Sequence, residues 1–367
     1  MNRRTLLKYL AFHTLTLPLI LNASEKIPKK AYKHLVLIEL KGGNDGLNTL
    51  VPYSNSLYYG YRPNIAIQEK DVLKLNADVG LHPSLIELKN LFDLGEVAIF
   101  QGLGYKNPNR SHFRSIEIWD TASKSDEYLD DGWLKSVKFS NNSEIKGIVL
   151  GGEYGPLSGF NKGVIKIDNI DSFLNKSKQL QNNLYLSSNN DSLEHLLATE
   201  MEIKKSAIEL KNKLKNSKQI KYPFEKNNFA QQMNIATKLI NAKTNIPFYK
   251  ISLGSFDTHQ NQLNPHANLL KQLSQAIYTM RQNLIESGEW ENTTIMTYSE
   301  FGRRVEENAS KGTDHGTASV HFVIGGNVQG GLNGVYPSLS QLDTNGDLIY
   351  TTDFKEMYSF SEKNKFI

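Results

Sequence analysis

The sequence predicts an α/β protein: a doubly wound, mostly parallel sheet with helices on both faces, interrupted by a helical insertion. Three observations predict it. Short apolar runs alternate with segments of helical period, the order that builds a parallel sheet with crossover helices. Glycines sit where the apolar runs stop. A long polar stretch rich in Asn, Lys and Ser then breaks the alternation before it resumes.

The first apolar run is "HLVLIEL", His34 to Leu40, continuous enough for a strand covered on both faces. "HPSLIELKNLFDLG" follows with Leu85, Leu88, Leu91 and Phe92 at helical spacing and Gly95 as its stop. "EVAIFQGLG" reads as a second strand. Residues 169–245 form the insertion, with two helical stretches, "SLEHLLATEMEIKKSAIELKNKL" and "NNFAQQMNIATKLINA", whose charges read as solvated faces. Strands return at "IPFYKISLGSFDTHQ", "TTIMTYSEFGRR" and "ASVHFVIGG". Between the first two lies the amphipathic "NLLKQLSQAIYTMRQNLIESG", closed by Gly288. The tail "TTDFKEMYSFSEKNKFI" reads as a final helix.

The start, residues 1–25, "MNRRTLLKYLAFHTLTLPLILNASE", has the basic, apolar and small-residue layout of a secretory signal and is too short for a confident membrane span. "NRRTLLK" resembles the twin-arginine export signal, which implies passage through the twin-arginine translocase and a periplasmic or otherwise exported protein. Residues 26–367 are then one α/β domain without a stable membrane span. The formal charge is +4, with Arg3, Arg4 and Lys8 inside the signal, so bulk charge gives no reason to expect nucleic acid. The 367 residues contain no cysteine. Disulfides, thiolate metal sites and cysteine nucleophiles are excluded, and any metal must be held by oxygen and imidazole.

Chemistry-bearing residues fall at the strand ends. Asp45 follows the first strand in "GGNDG", and Arg110, Ser111 and His112 follow the second. Asp257 and His259 follow the third, Glu300 and Arg303 the fourth, and Asp314 and His315 precede the fifth. An open parallel sheet gathers its carboxyl ends on one edge, where such folds bind ligands. Each residue also has a plainer reading: Asp45 as a turn residue, Ser111 as a helix cap, His321 as a core histidine within its strand. Taken together, the oxygen and imidazole set suits zinc, manganese or iron, whereas magnesium or calcium would prefer oxygen alone.

The stretches "LKGGNDGLNTLVPY", "SHF", "FDTHQNQ", "SEFGRR" and "GTDHGTASVHFVIGG" resemble an exported bacterial family known as domain of unknown function 1501, over nearly the whole mature chain. That family in turn resembles the alkaline phosphatase and sulfatase superfamily. The resemblance implies an alkaline phosphatase-like sheet with one or two divalent ions above it. Position by position it assigns metal ligation to Asp45, Asp257, His259, Glu300 and His315, with Asp314 as a further carboxylate, and the nucleophile to Ser111. If "TDHG" is instead the family's Asp-His-Gly, His321 becomes the last ligand; His112 and His321 are the weaker candidates. Phe301 stands where the superfamily has a histidine. A second ion would then have oxygen ligands only, which favours manganese, magnesium or calcium there. Arg110 and Arg303 are the candidates to hold an anionic group.

The expected function is metal-assisted hydrolysis of a phosphate or sulfate ester, the substrate a small anionic ester or a glycan. The alternative is a binding or assembly protein for metal or glycan that kept the fold. "GGNDG" lacks the glycine spacing of a dinucleotide turn, so a redox cofactor is not expected.

Overall fold

In a computed structural model, residues 33–137, 143–179, 191–215 and 217–363 are described; the expected signal, 1–25, lies outside them. Strand β1 is His34–Leu40. Three short strands, β2 (Leu50–Val51), β3 (Leu73–Lys74) and β4 (Gly80–Leu81), make a small sheet ordered β2-β4-β3. The remaining strands are β5 (Val97–Gly104), β6 (Gly147–Val149), β7 (Val164–Lys166), β8 (Phe248–Leu253), β9 (Thr293–Tyr298), β10 (Ser319–Gly325), β11 (Gly331–Asn333) and β12 (Thr352–Asp353). With β1 they form a nine-stranded sheet ordered β11-β5-β10-β9-β1-β8-β6-β7, with β12 also on β5.

The sheet is mostly parallel. β1 pairs in parallel with β8 and β9, β6 with β7 and β8, and β5 with β11 and β12. Only β10 runs the other way, antiparallel to both β5 and β9. The reversal decides where Asp314 and His315 go. Residues preceding a parallel strand would lie at the amino edge, but those preceding β10 lie at the carboxyl edge of its neighbours.

The helices are α1 (Gly46–Thr49), α2 (Ser56–Tyr61), α3 (Ile86–Asp93), α4 (His112–Thr121), α5 (Ile170–Gln179), α6 (Asp191–Lys215), α7 (Asn228–Asn241), α8 (Leu263–Ser287) and α9 (Phe354–Lys363). Alternation along β1 splits the core in two, because successive side chains leave opposite faces of a strand. Val36, Ile38 and Leu40 pack with Leu88 of α3, Met233 of α7 and Leu273 of α8. Leu35 and Leu37 join the cluster of Ile118 and Trp119 from α4 and Phe354 from α9. Truncating one of these fully buried leucines would cost about 2–5 kcal/mol.

Within 169–245, the helical insertion or cap expected from the sequence, the described helices pack in different places. α5 packs on α6, but α7 buries Phe229, Met233, Ala236 and Leu239 and contacts both β8 and α8. Its apolar stripe makes it a covering helix of the sheet rather than a cap.

Candidate metal centre

Four elements meet at the carboxyl edge. Glu300, two residues past the end of β9, is buried at 2% exposure. Ser299 Oγ lies 2.7 Å from the Leu40 carbonyl and 3.0 Å from Glu300 Oε2, its one hydrogen shared between these acceptors, and ties the β1 and β9 ends together. The Gly42 N–H donates to Glu300 Oε1 at 2.8 Å. The glycines after β1 are required for this closeness. Gly42 has φ +119°, and a Cβ there would lie 2.4 Å from the Asp257 nitrogen; Gly43 has φ +84°, and a Cβ there would lie 2.5 Å from the Phe301 ring. The turn therefore lets the Asp257 segment and Phe301 approach β1.

Arg303, 1% exposed, ties the loops from beneath. It donates to the carbonyls of Gly42 (2.7 Å), Gly43 (2.9 Å), Phe256 (3.0 Å) and Thr313 (3.0 Å), and to Asp257 Oδ1. The expected anion-holding role does not fit a guanidinium so fully engaged. It positions Asp257 instead.

Three histidines converge above. His112, the first residue of α4, places Nε2 3.1 Å from His315 Nε2, and His259 Nε2 lies 3.1 Å from the same atom. Asp257 Oδ1 is 2.9 Å from His259 Nε2 and 3.2 Å from His315 Nε2, and Asp257 Oδ2 is 3.5 Å from His112 Nε2. Ligand atoms of His112, Asp257 and His315 all fall within 4.8 Å of one another. The rings of His112 and His315 rest against Phe301, with centroids 4.9 and 4.7 Å from it.

The other ring nitrogens settle the tautomers. His112 Nδ1 faces Glu300 Oε1 at 2.8 Å, His259 Nδ1 faces Asp314 Oδ1 at 3.0 Å, and His315 Nδ1 faces the Arg110 carbonyl at 3.0 Å. An ionised carboxylate or a carbonyl can only accept, so each Nδ1 carries the hydrogen. In the neutral rings each Nε2 is then a lone pair, and lone pairs facing at 3.1 Å repel unless a cation lies between them. Ligands about 2.0–2.1 Å from a tetrahedral ion stand about 3.3 Å apart. The measured separations, 2.9 to 3.5 Å, bracket that edge. The residues fit a small divalent ion, and carboxylate or carbonyl partners behind ligating imidazoles are the usual support of such sites.

The charges favour this arrangement at Asp257 and His315 and oppose it at His112, whose partner Glu300 favours the protonated ring. Burial works against ionising Asp257, yet Arg303 and the neighbouring histidines hold its carboxyl below the usual range. Burial lowers His315, with Arg303 adding to the effect, and so favours the neutral ring. The Glu300 hydrogen bond raises His112, while the His259 hydrogen bond lowers Asp314.

The structure redistributes the expected residues. Asp257, His259 and His315 lie together, and His112, the weaker candidate, lies beside His315 and Asp257. Asp314 and Glu300 orient histidines rather than reaching the convergence point. Asp45 does not join: it is 1% exposed and caps α1 through the N–H groups of Leu47 (3.2 Å) and Asn48 (3.4 Å). Its Oδ2 pairs with Arg62 at 2.6 Å and accepts from Gln262. Four donors occupy the carboxylate, so it has no lone pair left for an ion. His321 is a core residue, fully buried beside Trp119, and burial pulls its pKa down to about 3. The Arg110 side chain is turned to Asp347 and Asp343. Ser111 stands exposed at the N-cap of α4, and its hydroxyl makes no capping bond.

Sequence reasoning undervalued His112 because "SHF" carries no ligand spacing; only the entry angle of α4 aims it at His315. The Arg62 and Gln262 partners of Asp45 are remote in sequence and gave no signal.

No curated protein matches the chain by sequence. Among solved structures it is similar to Ps i-CgsB in complex with k-i-k-neocarrahexaose, at 11% identity and TM-score 0.41, over 92% of this chain and 72% of that one. It is also similar to the C-terminal periplasmic domain of EcEptC from Escherichia coli in complex with Zn, at 10% identity and TM-score 0.39, over 80% and 73%. A mutant of TAB5 alkaline phosphatase with Mg bound follows at 11% and 0.36, over 83% and 95%. Residues 166–351, just over half of the chain, match the profile described as protein of unknown function (DUF1501), and they include Asp257, His259, Glu300, Asp314 and His315; the chain belongs to that family.

Proposed function

We propose that the protein is a metal-assisted hydrolase of phosphate or sulfate esters, acting in the periplasm after twin-arginine export. What carries the reading is the convergence of the His112 and His315 imidazoles with the Asp257 carboxylate, His259 Nε2 lying against His315 and Asp257, and each imidazole fixed from behind by an acceptor. His112, Asp257 and His315 would hold the ion, with His259 beside them. This nitrogen-rich set suits zinc or manganese better than magnesium or calcium. Such an ion supplies Lewis acidity toward an ester oxygen and lowers the pKa of water. The chain's own residues do the positioning: Glu300, Asp314 and the Arg110 carbonyl hold the imidazole tautomers, and Arg303 holds Asp257. Ser111 is the hydroxyl nearest His112 in sequence and stands open to solvent.

A second reading, a metal-binding protein without turnover, is favoured by one observation. Among the described residues no base is bonded to the Ser111 hydroxyl, and both Arg110 and Arg303 are engaged elsewhere. Elemental analysis after zinc or manganese loading, paired with assays on 4-nitrophenyl phosphate and 4-nitrophenyl sulfate, separates the two. The expected result is about one ion per chain with turnover, both lost in His315→Ala. Bound metal without turnover selects the second reading, and no bound metal overturns both.

A further inference from the structure

On the same edge of the sheet, a cleft of about 350 Å³ opens between α7 and α8 against the residues that follow β8. Its polar wall consists of carboxamides and hydroxyls: Asn228, Gln232, Asn268, Gln272, Ser252 and Ser255. None of its lining residues is ionisable, in contrast to the centre that begins two residues beyond Ser255 at Asp257. Buried Phe229 and Leu269 close the floor.

The carboxamides are of two kinds. Gln232 is fixed: its Oε1 accepts from the Ser252 N–H at 3.0 Å and its Nε2 donates to the Ser252 carbonyl at 3.3 Å. That leaves it one N–H and one lone pair to offer. The side chains of Asn228, Asn268 and Gln272 make no hydrogen bond to the rest of the described protein. The backbone beneath them is also unusual. Ser255 is a non-glycine residue at φ +78°, a conformation more often kept for function than for stability. Gly254 is a glycine that neither φ nor crowding demands, since a Cβ there would meet nothing within 4 Å.

We propose that this cleft binds a neutral, hydroxyl-rich group, a sugar residue; that the sugar is the part of the substrate carrying the ester rests on the hydrolase reading. A sugar hydroxyl both donates and accepts, and a carboxamide does the same, so the wall matches it in either direction. An anionic ligand would find no counter-charge here and would gain nothing over water. The volume lies within the range of small-ligand sites and fits a sugar ring rather than a long chain. Anion and sugar would thus be recognised in adjoining compartments, the charge at the metal centre and the hydroxyls in the cleft.

The test is side-chain amide NMR on the full chain. It is titrated with four neutral hexasaccharides, built from glucose, galactose, mannose and N-acetylglucosamine. At least one should shift the Gln232, Asn268 and Gln272 amides saturably. Gly254→Leu, whose Cβ meets no neighbour and whose side chain would project at the cleft wall, should weaken that binding at least about tenfold, and Gln272→Leu should weaken it less. His315→Ala should leave it intact. The inference is overturned if no sugar moves these amides or if Gly254→Leu binds like the parent. Sugar binding without ester turnover leaves the cleft assignment standing and removes the hydrolase reading; turnover without sugar binding does the reverse.

Discussion

Asp45 and Asp257 each follow a parallel strand, at the same edge and on neighbouring strands, yet they do opposite work. Asp45 is 1% exposed and saturated by Arg62, Gln262 and two helix N–H groups. Asp257 is 43% exposed, is held by a single guanidinium and faces three histidines. Strand-end position therefore nominates a carboxylate, and its donors decide what it does. A carboxylate whose lone pairs are all taken stabilises the fold; one left partly free can meet a ligand.

The sharpest way to break this comparison is to exchange the charge for an amide at each position. Asp45→Asn should leave the Arg62 guanidinium, 0% exposed, without its counter-charge and cost about 3–5 kcal/mol. Metal stoichiometry should be unchanged. Asp257→Asn should lose bound metal; it also removes the counter-charge of buried Arg303, but four backbone carbonyls stay on that guanidinium, so the unfolding cost should be smaller than that of Asp45→Asn. Equal effects of the two substitutions on metal content would dissolve the distinction.

A third carboxylate extends it. Asp120 of α4 has a buried Oδ1 and lies beside the Glu39–Lys250 pair, which joins β1 to β8 at 2.5 Å. Burial raises its pKa from 3.8 to about 8, with Lys250 opposing and Glu39 reinforcing the rise. Between those values the folded state keeps a proton that the unfolded chain has released. This contribution to stability therefore falls as pH rises from about 4 to about 8 and is flat above. Asp120→Asn should be near neutral at pH 4 and grow more stabilising toward pH 8, by about 1 kcal/mol per pH unit. Urea unfolding of both proteins across that range reads the gap, and a gap that does not grow with pH counts against the assignment.

The smallest effect belongs to a supporting carboxylate. Asp314→Asn keeps the shape but no longer fixes the His259 tautomer, and should weaken metal affinity by about 10- to 100-fold. A competition titration with a chelator measures it; unchanged affinity would mean that His259 needs no orienting partner.

Much of this was legible in the sequence, for local reasons. The short apolar runs and the helical pattern located β1, β5, β8, β9 and α8 because burial of those elements leaves a direct residue signature. Asp257 and His259 were legible because two residues apart in an extended segment share a side. The antiparallel course of β10 was not legible, since an apolar run carries no direction, and yet it is what brings Asp314 and His315 to the working edge. Asp45 misled for a related reason. "GGNDG" does serve the centre, but through the clearance at Gly42 and Gly43; the carboxylate it displays turns inward to an arginine that no local pattern announces.

The placement of β10 between β5 and β9 also governs when the centre comes into being. His112 and His315 are 203 residues apart and meet only in a chain whose β10 lies between β5 and β9. Closing so long a loop is a late, entropically costly event in a folding chain. An ion held there binds the finished protein and has little hold on its precursors, so it cannot guide assembly. It acts as a latch on the completed sheet, deepening the native well by an amount set by free ion concentration over dissociation constant.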